Sequence, residues 1–383
     1  MIYFRVGSQA HRLVTLLSVA GEYPTRSIHI LGNERVYKAL VHKLISPETF
    51  YNPQTETEFT PTRLFTVTGK SGFKSLRLRK SAFPILEWIC AKDYYIQAFP
   101  DKFQSDLAHI ERNHRVAEAL GMCLQAGFEF RPYCLPKLQN TGIKTIVPAE
   151  PTFYLGKLLK QADKTGNTEM NKTMFTRMAG ALFAFGNCYA VYNTRRAAMK
   201  WNGMGEFKAL HSLIEIGRMN AGISSVDSAI LFGESDGAAL STLMDIEKNR
   251  RLEFRFDGIY RHIYFVPMDK HGIRQLSLFS VPDWKEKILA LLFEPGVRAY
   301  NRGAFEYDAC IDGVYILSHL DGDIARLARF QKGIGEKLRS CEVLCFPDQA
   351  EFVRKLISSS AGIKVIDRPL IEKGLNVKRE VFT

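Results

Sequence analysis

The sequence predicts an α/β protein overall, in which an N-terminal winged helix precedes a C-terminal α/β domain with a mainly parallel sheet. Three observations predict this class. The chain has 383 residues, of which 46% are hydrophobic and 24% charged, enough for roughly one to three domains with buried cores. Helical patterns and a basic hairpin pattern fill its first part. Short apolar runs then alternate with helical patterns, as in strands covered by helices on both faces.

The first two helices are bounded by capping and turn residues. Ser8 is a favourable N-cap for a helix over 9–20, which Gly21 ends. A short second helix over 25–31 follows Pro24 and stops at the turn pair Gly32-Asn33. This spacing is typical of a helix-turn-helix.

The third helix follows Asn33 and is predicted to carry a basic and aromatic outer face. One face, which we expect to be buried, is apolar and consists of Val36, Ala39, Leu40 and Leu44. The residues on the other faces are Arg35, Tyr37, Lys38, His42 and Lys43.

A β-hairpin is predicted over 63–80, with its turn at 69–72, because polar and apolar residues alternate on both sides of the two glycines. Strand alternation places Leu76 and Leu78 on one face and Arg77 and Arg79 on the other. The segment contains no acidic residue and six basic ones, which are Arg63, Lys70, Lys74, Arg77, Arg79 and Lys80.

Three helices followed by a basic hairpin are the order of a winged helix, and this order predicts binding to double-stranded DNA. The net charge of +12 and pI near 9.3 favour a polyanionic partner. Candidates for contacts with base edges are Arg35, Tyr37, Lys38 and His42. Candidates for phosphate contacts are Lys70, Lys74, Arg77 and Arg79. The alternatives are a basic surface that only contacts solvent, and a winged helix that binds protein.

A long helix is predicted over 104–126, and its stretch HIERNHRVAEALGMCLQAG follows the winged-helix pattern. In this order of elements the first 130 residues or so resemble the replication-relaxation family, winged-helix proteins of Gram-positive plasmids and conjugative elements. The resemblance implies a DNA-binding role in replication, transfer or transcription control of a mobile element. The predicted domains are then a DNA-binding winged helix over 1–92, a connecting helical segment over 93–138, and an α/β domain over 139–383.

The C-terminal domain begins with a predicted pair of strands around Gly186-Asn187 and a helix from Gly205. Later strands lead into acidic residues: Glu234 after one strand, and Asp321 and Asp323 after another. Such carboxylates could jointly hold Mg²⁺, loosely resembling the Toprim arrangement, which makes a nuclease or phosphotransfer enzyme an alternative function. A protein–protein adaptor is a further alternative. The simpler interpretation is that these acids cap and complement helix N-termini, so no catalytic or metal-binding residue is assigned.

Other chemistry has little support in the sequence. A P-loop, a dinucleotide-binding glycine motif and a G-x-S-x-G elbow are absent, and the E-x-K of 206–208 lacks an acidic partner between 187 and 203. No cofactor is therefore expected, and a binding protein is favoured over an enzyme. A homodimer is a further possibility for the assembly of the protein.

The cysteine content and the hydropathy pattern predict a cytoplasmic location. Seven cysteines without a C-x-x-C pair are typical of reduced thiols rather than of a disulfide framework or a zinc site. No apolar run approaches the roughly 18 residues that span a bilayer, and the N-terminus lacks a signal-peptide pattern, so no membrane partner is expected.

Overall fold

The computed structural model describes residues 1–70, 72–99, 106–130, 150–162, 177–197, 199, 204–248, 259–299, 305–337 and 340–377. The described residues form two compact units, unit 1 over 1–125 and unit 2 from 126 onward. Both units contain helices and sheets, so the predicted α/β class is confirmed. Among the described residues, no helix combines the length and the hydrophobicity that crossing a membrane requires.

Unit 1 consists of short helices around two small sheets. Its α-helices are α1 (Gln9–Ala20), α2 (Glu34–Leu44), α3 (Phe83–Trp88), α4 (Lys92–Ala98) and α5 (Leu107–Gln125), with 3₁₀ helices at Thr25–Leu31 and Lys80–Ala82. Its strands are β1 (Ile2–Tyr3), β2 (Glu22–Pro24), β3 (Phe50–Asn52), β4 (Thr57–Phe59), β5 (Phe65–Thr68) and β6 (Ser75–Leu78), in sheets of order β1-β3-β4 and β2-β6-β5.

The helix starts follow from the capping residues. Ser8 Oγ accepts a hydrogen bond from His11 N at 3.3 Å, and Asn33 Oδ1 accepts from Arg35 N at 3.1 Å at the start of α2. Helix α5 packs within unit 1, where Gln125 Nε2 donates to Leu31 O at 2.9 Å. The order helix, strand, 3₁₀ helix, helix and hairpin is present, while the winged helix itself stays a prediction from that order.

Helix α2 buries a different face from the one predicted. Tyr37 is 2% exposed and packs in the core with Val41 and Leu44, whereas Val36 is 40% exposed. The Tyr37 ring lies against Gly32, where an added Cβ would come within 3.3 Å of it and where φ is +132°. The expectation that Tyr37 lies on the outward face is therefore wrong, because a large ring at this spacing fills the core better than Val36 does.

The hairpin of β5 and β6 forms as predicted, with Leu76 and Leu78 buried. Arg77, however, donates from Nε and Nη2 to the Glu22 carboxylate at 3.0 and 2.7 Å. Glu22 is fully buried and also accepts from Asn113 Nδ2 at 2.8 Å. Arg77 therefore neutralises a buried charge inside unit 1, which corrects its predicted role as a phosphate contact.

The remaining predicted DNA contacts are exposed side chains, namely Arg35, Lys38, His42, Lys70, Lys74 and Arg79. Lys38 forms an ion pair with Glu34 at 2.5 Å, one helical turn earlier on α2. Exposure alone does not assign any of them a partner.

Unit 2 contains two sheets within its described residues. Its α-helices are α6 (Gly156–Ala162), α7 (Met204–Ala221), α8 (Asp236–Lys248), α9 (Lys270–Leu276), α10 (Trp284–Leu292), α11 (Ile324–Lys337), α12 (Ala350–Leu356) and α13 (Arg368–Gly374). Its strands are β7 (Thr152–Leu155), β8 (Met178–Ala184), β9 (Asn187–Arg195), β10 (Ser228–Gly233), β11 (His262–Pro267), β12 (Ala309–Ile311), β13 (Val314–Ser318), β14 (Cys341–Cys345) and β15 (Gly362–Val365). Further 3₁₀ helices span Ser277–Ser280, Pro295–Val297 and Pro347–Gln349.

The strand directions agree with the predicted mainly parallel arrangement, although the strands form two sheets. In the sheet of order β11-β10-β9-β8-β7, the pairs β9/β10 and β10/β11 are parallel and the other two are antiparallel. In the sheet of order β12-β13-β14-β15, only β12/β13 is antiparallel. Strands β8 and β9 join through Phe185 and Gly186, both with positive φ, as the predicted hairpin requires.

The loop after β13 connects the two sheets of unit 2. Phe265 N, on the edge strand β11, donates to Gly322 O at 2.9 Å, and Tyr264 forms a bridge with Asp323. This loop therefore brings Asp321 and Asp323 next to the beginning of β11.

We expect Arg77→Ala to destabilise unit 1 by about 3–5 kcal/mol, because the substitution leaves the Glu22 carboxylate buried without its cation. The matched control is Arg79→Ala, which removes an exposed arginine two residues away and should change the free energy of unfolding by about 0.5 kcal/mol or less. Urea unfolding followed by circular dichroism measures both. Equal effects of the two substitutions would contradict the structural role of Arg77.

Candidate functional site

A buried carboxylate lies at the centre of the candidate site. Asp323 is 1% exposed; its Oδ2 accepts from His262 Nδ1 at 2.6 Å, and its Oδ1 accepts from Ile263 N and Arg326 N, both at 3.1 Å. Burial opposes ionisation of Asp323, but the hydrogen bond and charge of His262, with the charge of Lys285, lower its pKa to about 2. Asp323 is therefore a carboxylate at neutral pH.

The bond to Arg326 N also makes Asp323 the N-cap of α11, so the simpler interpretation of this acid as a helix cap is confirmed. The cap places a negative charge at the helix N-terminus, where the macrodipole stabilises it. One carboxylate thus starts a helix and holds an imidazole.

Asp321 has a different environment two residues earlier. It is 5% exposed, and its Oδ1 accepts from Asp323 N at 3.0 Å. Burial raises the pKa of Asp321, and the nearest cation is Lys285, whose Nζ is 3.9 Å from Oδ2. The backbone oxygen of Asp321 accepts from Gln275 Nε2 at 2.9 Å, which fixes the loop.

A cleft of about 280 Å³ opens beside this pair, at the end of the sheet where β9, β10 and β11 begin. Its floor is made of buried aromatic side chains: Tyr264 and Phe279 pack edge to face with ring centroids 5.0 Å apart, and the tilted rings of Phe279 and Trp284 have centroids 4.8 Å apart. Tyr189 packs on the same ring of Phe279 at 5.2 Å. The rigid aromatic floor gives the cleft a fixed shape.

The rim of the cleft carries more negative than positive charge. Asp227, Asp283 and Glu286 are exposed carboxylates that line it, and Lys285 is the ammonium group that lines it. The rim charge is opposite in sign to the net charge of the whole chain, which is +12. A cleft of this size and charge suits a small ligand with a cationic group.

His262 connects the buried carboxylate to the cleft. Its side chain is 19% exposed and lines the cleft, and its ring stacks on Tyr264 with centroids 6.0 Å apart. Because the Asp323 carboxylate accepts from Nδ1, the neutral imidazole carries its proton there and presents Nε2 as a hydrogen-bond acceptor. This arrangement can remove a proton from a bound ligand, as a general base does.

The predicted grouping of Glu234 with Asp321 and Asp323 is wrong. Ser228 pairs with His262 and Gly233 with Pro267, so Glu234 follows the far end of β10 while Asp323 contacts the near end of β11. About 16 Å of strand separates the two ends. Glu234 instead accepts from Arg196 Nε at 2.7 Å, and the described residues contain no group of three or more potential metal ligands.

The E-x-K segment is also structural. Glu206 is 4% exposed and forms an ion pair with Arg177 at 3.3 Å, near the start of α7. The Glu206 carboxylate is therefore buried and paired with Arg177, which is a structural role.

Sequence reasoning missed His262 and the aromatic cleft. A histidine that opens an apolar strand, in RHIYFVP, and a tryptophan between charges, in PDWKEK, were the available signals. Neither signal shows that the two segments meet, because that contact depends on the loop after β13.

The fold defines an α/β protein, and the cleft is its candidate site for a small ligand. Two curated proteins are similar to part of the chain, and both are named D-alanine–D-alanine ligase. One, from Campylobacter jejuni subsp. jejuni, is 29% identical over 163 residues, which are 40% of this chain and 45% of the relative. The other, from Campylobacter jejuni subsp. doylei, is 28% identical over 162 residues, with the same coverage. The chain thus spans about 45% of the length of the curated relatives it matches.

No family model matches the chain. No solved structure matches it either. The resemblance to the replication-relaxation family therefore stays a prediction from the order of elements in the first 130 residues or so.

The matches to two ligases overturn the predicted function. The DNA-binding protein of a mobile element, with its roles in replication, transfer or transcription control, is wrong on this comparison, as are the nuclease and adaptor alternatives. The basic hairpin led to the prediction of DNA binding because its positive charges were counted without the acidic side chains with which they can pair. In the structure one of those charges, on Arg77, neutralises Glu22.

His319, which directly follows β13, should make stability depend on pH. Burial lowers its pKa from 6.5 to about 4, so the unfolded chain binds a proton between these values that the folded chain does not. The stability that the neutral, buried imidazole allows is therefore fully present above pH 6.5 and decreases as pH falls towards 4. In the original chain, His319 should lower the free energy of unfolding by about 3 kcal/mol over this range, and His319→Asn should abolish this decrease.

The measurement is urea unfolding at a series of pH values between 4 and 7. His42→Gln, which replaces an exposed histidine of α2, is the control and should keep the pH dependence of the original chain. A His319→Asn variant with the same pH slope as the original chain would refute the assignment.

Proposed function

We propose that the protein is an enzyme of the ligase class that binds a small amino acid in the cleft of unit 2 and joins its amine to an activated carboxyl group. The observation that carries this proposal is the His262–Asp323 pair at the edge of a cleft with carboxylates on its rim. D-alanine is the first candidate substrate, because both curated relatives are named for it.

The rim charges are suited to an amine substrate. An amino acid at neutral pH carries an ammonium group, and Asp227, Asp283 and Glu286 supply negative charge along the cleft. A volume of about 280 Å³ holds a single amino acid or a dipeptide rather than a larger molecule.

The imidazole performs the step that such a substrate requires. An ammonium nitrogen has no lone pair, so it must lose a proton before it can attack a carboxyl carbon. His262 Nε2 accepts that proton, and Asp323 stabilises the imidazolium that forms. The nitrogen then forms the peptide bond, and the group that activated the carboxyl leaves with the electron pair of the broken carbon–oxygen bond and takes up the second proton that the nitrogen releases. His262 is the proposed catalytic residue and Asp323 its positioning residue.

The location and partners of the enzyme stay predictions. The cysteines in the described residues are free thiols, in keeping with the reducing cytoplasm inferred from the cysteine content.

The carboxyl group needs a co-substrate that activates it, and we propose ATP, as its Mg²⁺ complex in solution, as the phosphoryl donor. We expect purified protein, supplied with D-alanine and this complex, to release phosphate and to form a D-alanine dipeptide. His262→Gln should lower kcat by about 100-fold or more, because it removes the proton acceptor, and should change KM little. His271→Gln is the matched control on the neighbouring helix α9. Phosphate release measured by a coupled assay and dipeptide measured by mass spectrometry give the result. The ligase proposal is contradicted if the unsubstituted protein forms no dipeptide and releases no phosphate that depends on D-alanine.

Charge on the rim should set substrate affinity. We expect Asp227→Asn to raise the dissociation constant of D-alanine about fivefold, because it removes one carboxylate near the ammonium group. Asp312→Asn, in the turn between β12 and β13, removes an exposed carboxylate away from the cleft and should leave the constant unchanged. Isothermal titration calorimetry measures both. Identical constants for the two variants would place the amino acid elsewhere.

A further inference from the structure

A second cavity of unit 2 lies where parallel strands of both sheets end. Its lining includes Asp236 after β10, Pro267 at the end of β11, His319 after β13 and Gln349 after β14. The cleft described above, which His262 and Trp284 line and which we call the Trp284 cleft, lies at the other end of β10 and β11, so the two sites are separate. In α/β proteins, ligands bind outside the carboxyl ends of parallel strands. This cavity therefore occupies the position that the fold favours for a ligand.

Two polar atoms at this cavity have no hydrogen-bond partner. They are His319 Nδ1 and Gln349 Nε2, on side chains that are 2% and 8% exposed. A buried polar atom without a partner is destabilising, because it has lost its hydrogen bonds to water and gained none in return. Gln349 is already held in place from its other end, because Phe346 N donates to its Oε1 at 2.9 Å. A ligand that accepts a hydrogen bond from Gln349 Nε2 would recover that free energy without moving the side chain.

The charges around the cavity restrict the chemistry of this ligand. The half-buried carboxylates of Asp236 and Asp348 line the cavity, and Asp348 also pairs with Arg368 Nη2 at 2.7 Å. Burial raises the pKa of Asp236, in keeping with a carboxylate that has lost part of its water. An anionic ligand would be repelled by the Asp236 carboxylate, whereas the charge of Asp348 is already balanced by Arg368. An ammonium ion has no acceptor to offer to Gln349 Nε2.

We propose that the cavity binds a primary carboxamide group. The amide oxygen accepts hydrogen bonds from Gln349 Nε2 and His319 Nδ1, and the amide NH₂ donates to the Asp236 carboxylate. The cavity volume of about 30 Å³ is at least twice what one water molecule requires, which is room for the few heavy atoms of an amide. The rest of the ligand leaves through the side where Asp236 and Asp348 are partly exposed. This site is independent of the proposed ligase activity.

Three small probes test the proposal on the full chain. These probes are acetamide, the anion acetate, which has nearly the same shape, and the smaller cation methylammonium, each titrated separately in ligand-observed saturation-transfer NMR. We expect binding of acetamide, and no binding of acetate or methylammonium at equal concentration. Equal binding of all three, or no binding of acetamide because the cavity holds only water, overturns the proposal.

Substitution of Gln349, which lines only this one of the two cavities, tests whether acetamide binds here or in the Trp284 cleft. Gln349→Glu keeps Oε1 as acceptor for Phe346 N and replaces the donor Nε2 by an oxygen, so the dissociation constant of acetamide should rise about tenfold or more. Gln331→Glu is the matched control, because Gln331 Oε1 likewise accepts from a backbone N–H, that of Ser358, at 2.8 Å. An unchanged constant in Gln349→Glu overturns the proposal.

A second variant covers the case in which Gln349→Glu does not fold. His319→Phe removes Nδ1 but retains a flat ring beside Phe352, on which His319 stacks with centroids 6.0 Å apart. It should also weaken acetamide binding, by about threefold or more for one lost hydrogen bond. Unchanged acetamide binding in His319→Phe overturns the proposal.

Discussion

The arrangement of unit 2 depends on the burial of one carboxylate. Taking the Asp323 charge out of water costs several kcal/mol, and the structure offsets this cost with hydrogen bonds from His262, Ile263 and Arg326. These donors belong to the edge strand β11 and to the first turn of α11, the helix that follows the loop after β13. Satisfying a single side chain therefore requires this loop to lie against the edge of the other sheet. The same requirement fixes the imidazole at the cleft, so the stability of the fold and the geometry of the candidate site have one cause.

The sequence predicts local elements well, because capping residues and hydrophobic spacing act over a few residues. Ser8 and Asn33 start helices as predicted, and the turn at Gly186 joins two strands. The error in α2 comes from choosing between two faces of one helix. Both faces carry apolar residues, and only the presence of a space for the Tyr37 ring beside Gly32 decides between them. That space is produced by tertiary packing, which short-range patterns do not contain.

The candidate site could not be predicted from local patterns for a related reason. His262 and Asp323 are 61 residues apart, and the carboxylate was correctly interpreted as a helix cap without any indication of its second partner. The prediction that Glu234 joins the aspartates assumed that acids following parallel strands meet at one edge. The loop after β13 instead turns back, so that Asp323 reaches the beginning of β11. Charge counting failed in a similar way in unit 1, where Arg77 is matched by the distant Glu22.

The loop after β13 also has a consequence for self-association. The outermost strand of a sheet exposes backbone groups that can recruit a strand of another molecule and begin aggregation. On β11, Ile263 N is bound by the Asp323 side chain and Phe265 N by Gly322 O, so the donors at these two positions are already used. Asp323 and Gly322 thus supply the acceptors that a further strand would supply, and they do so from one short loop. Loss of these two contacts would leave unpaired backbone donors on β11, at which a strand of a second molecule can pair.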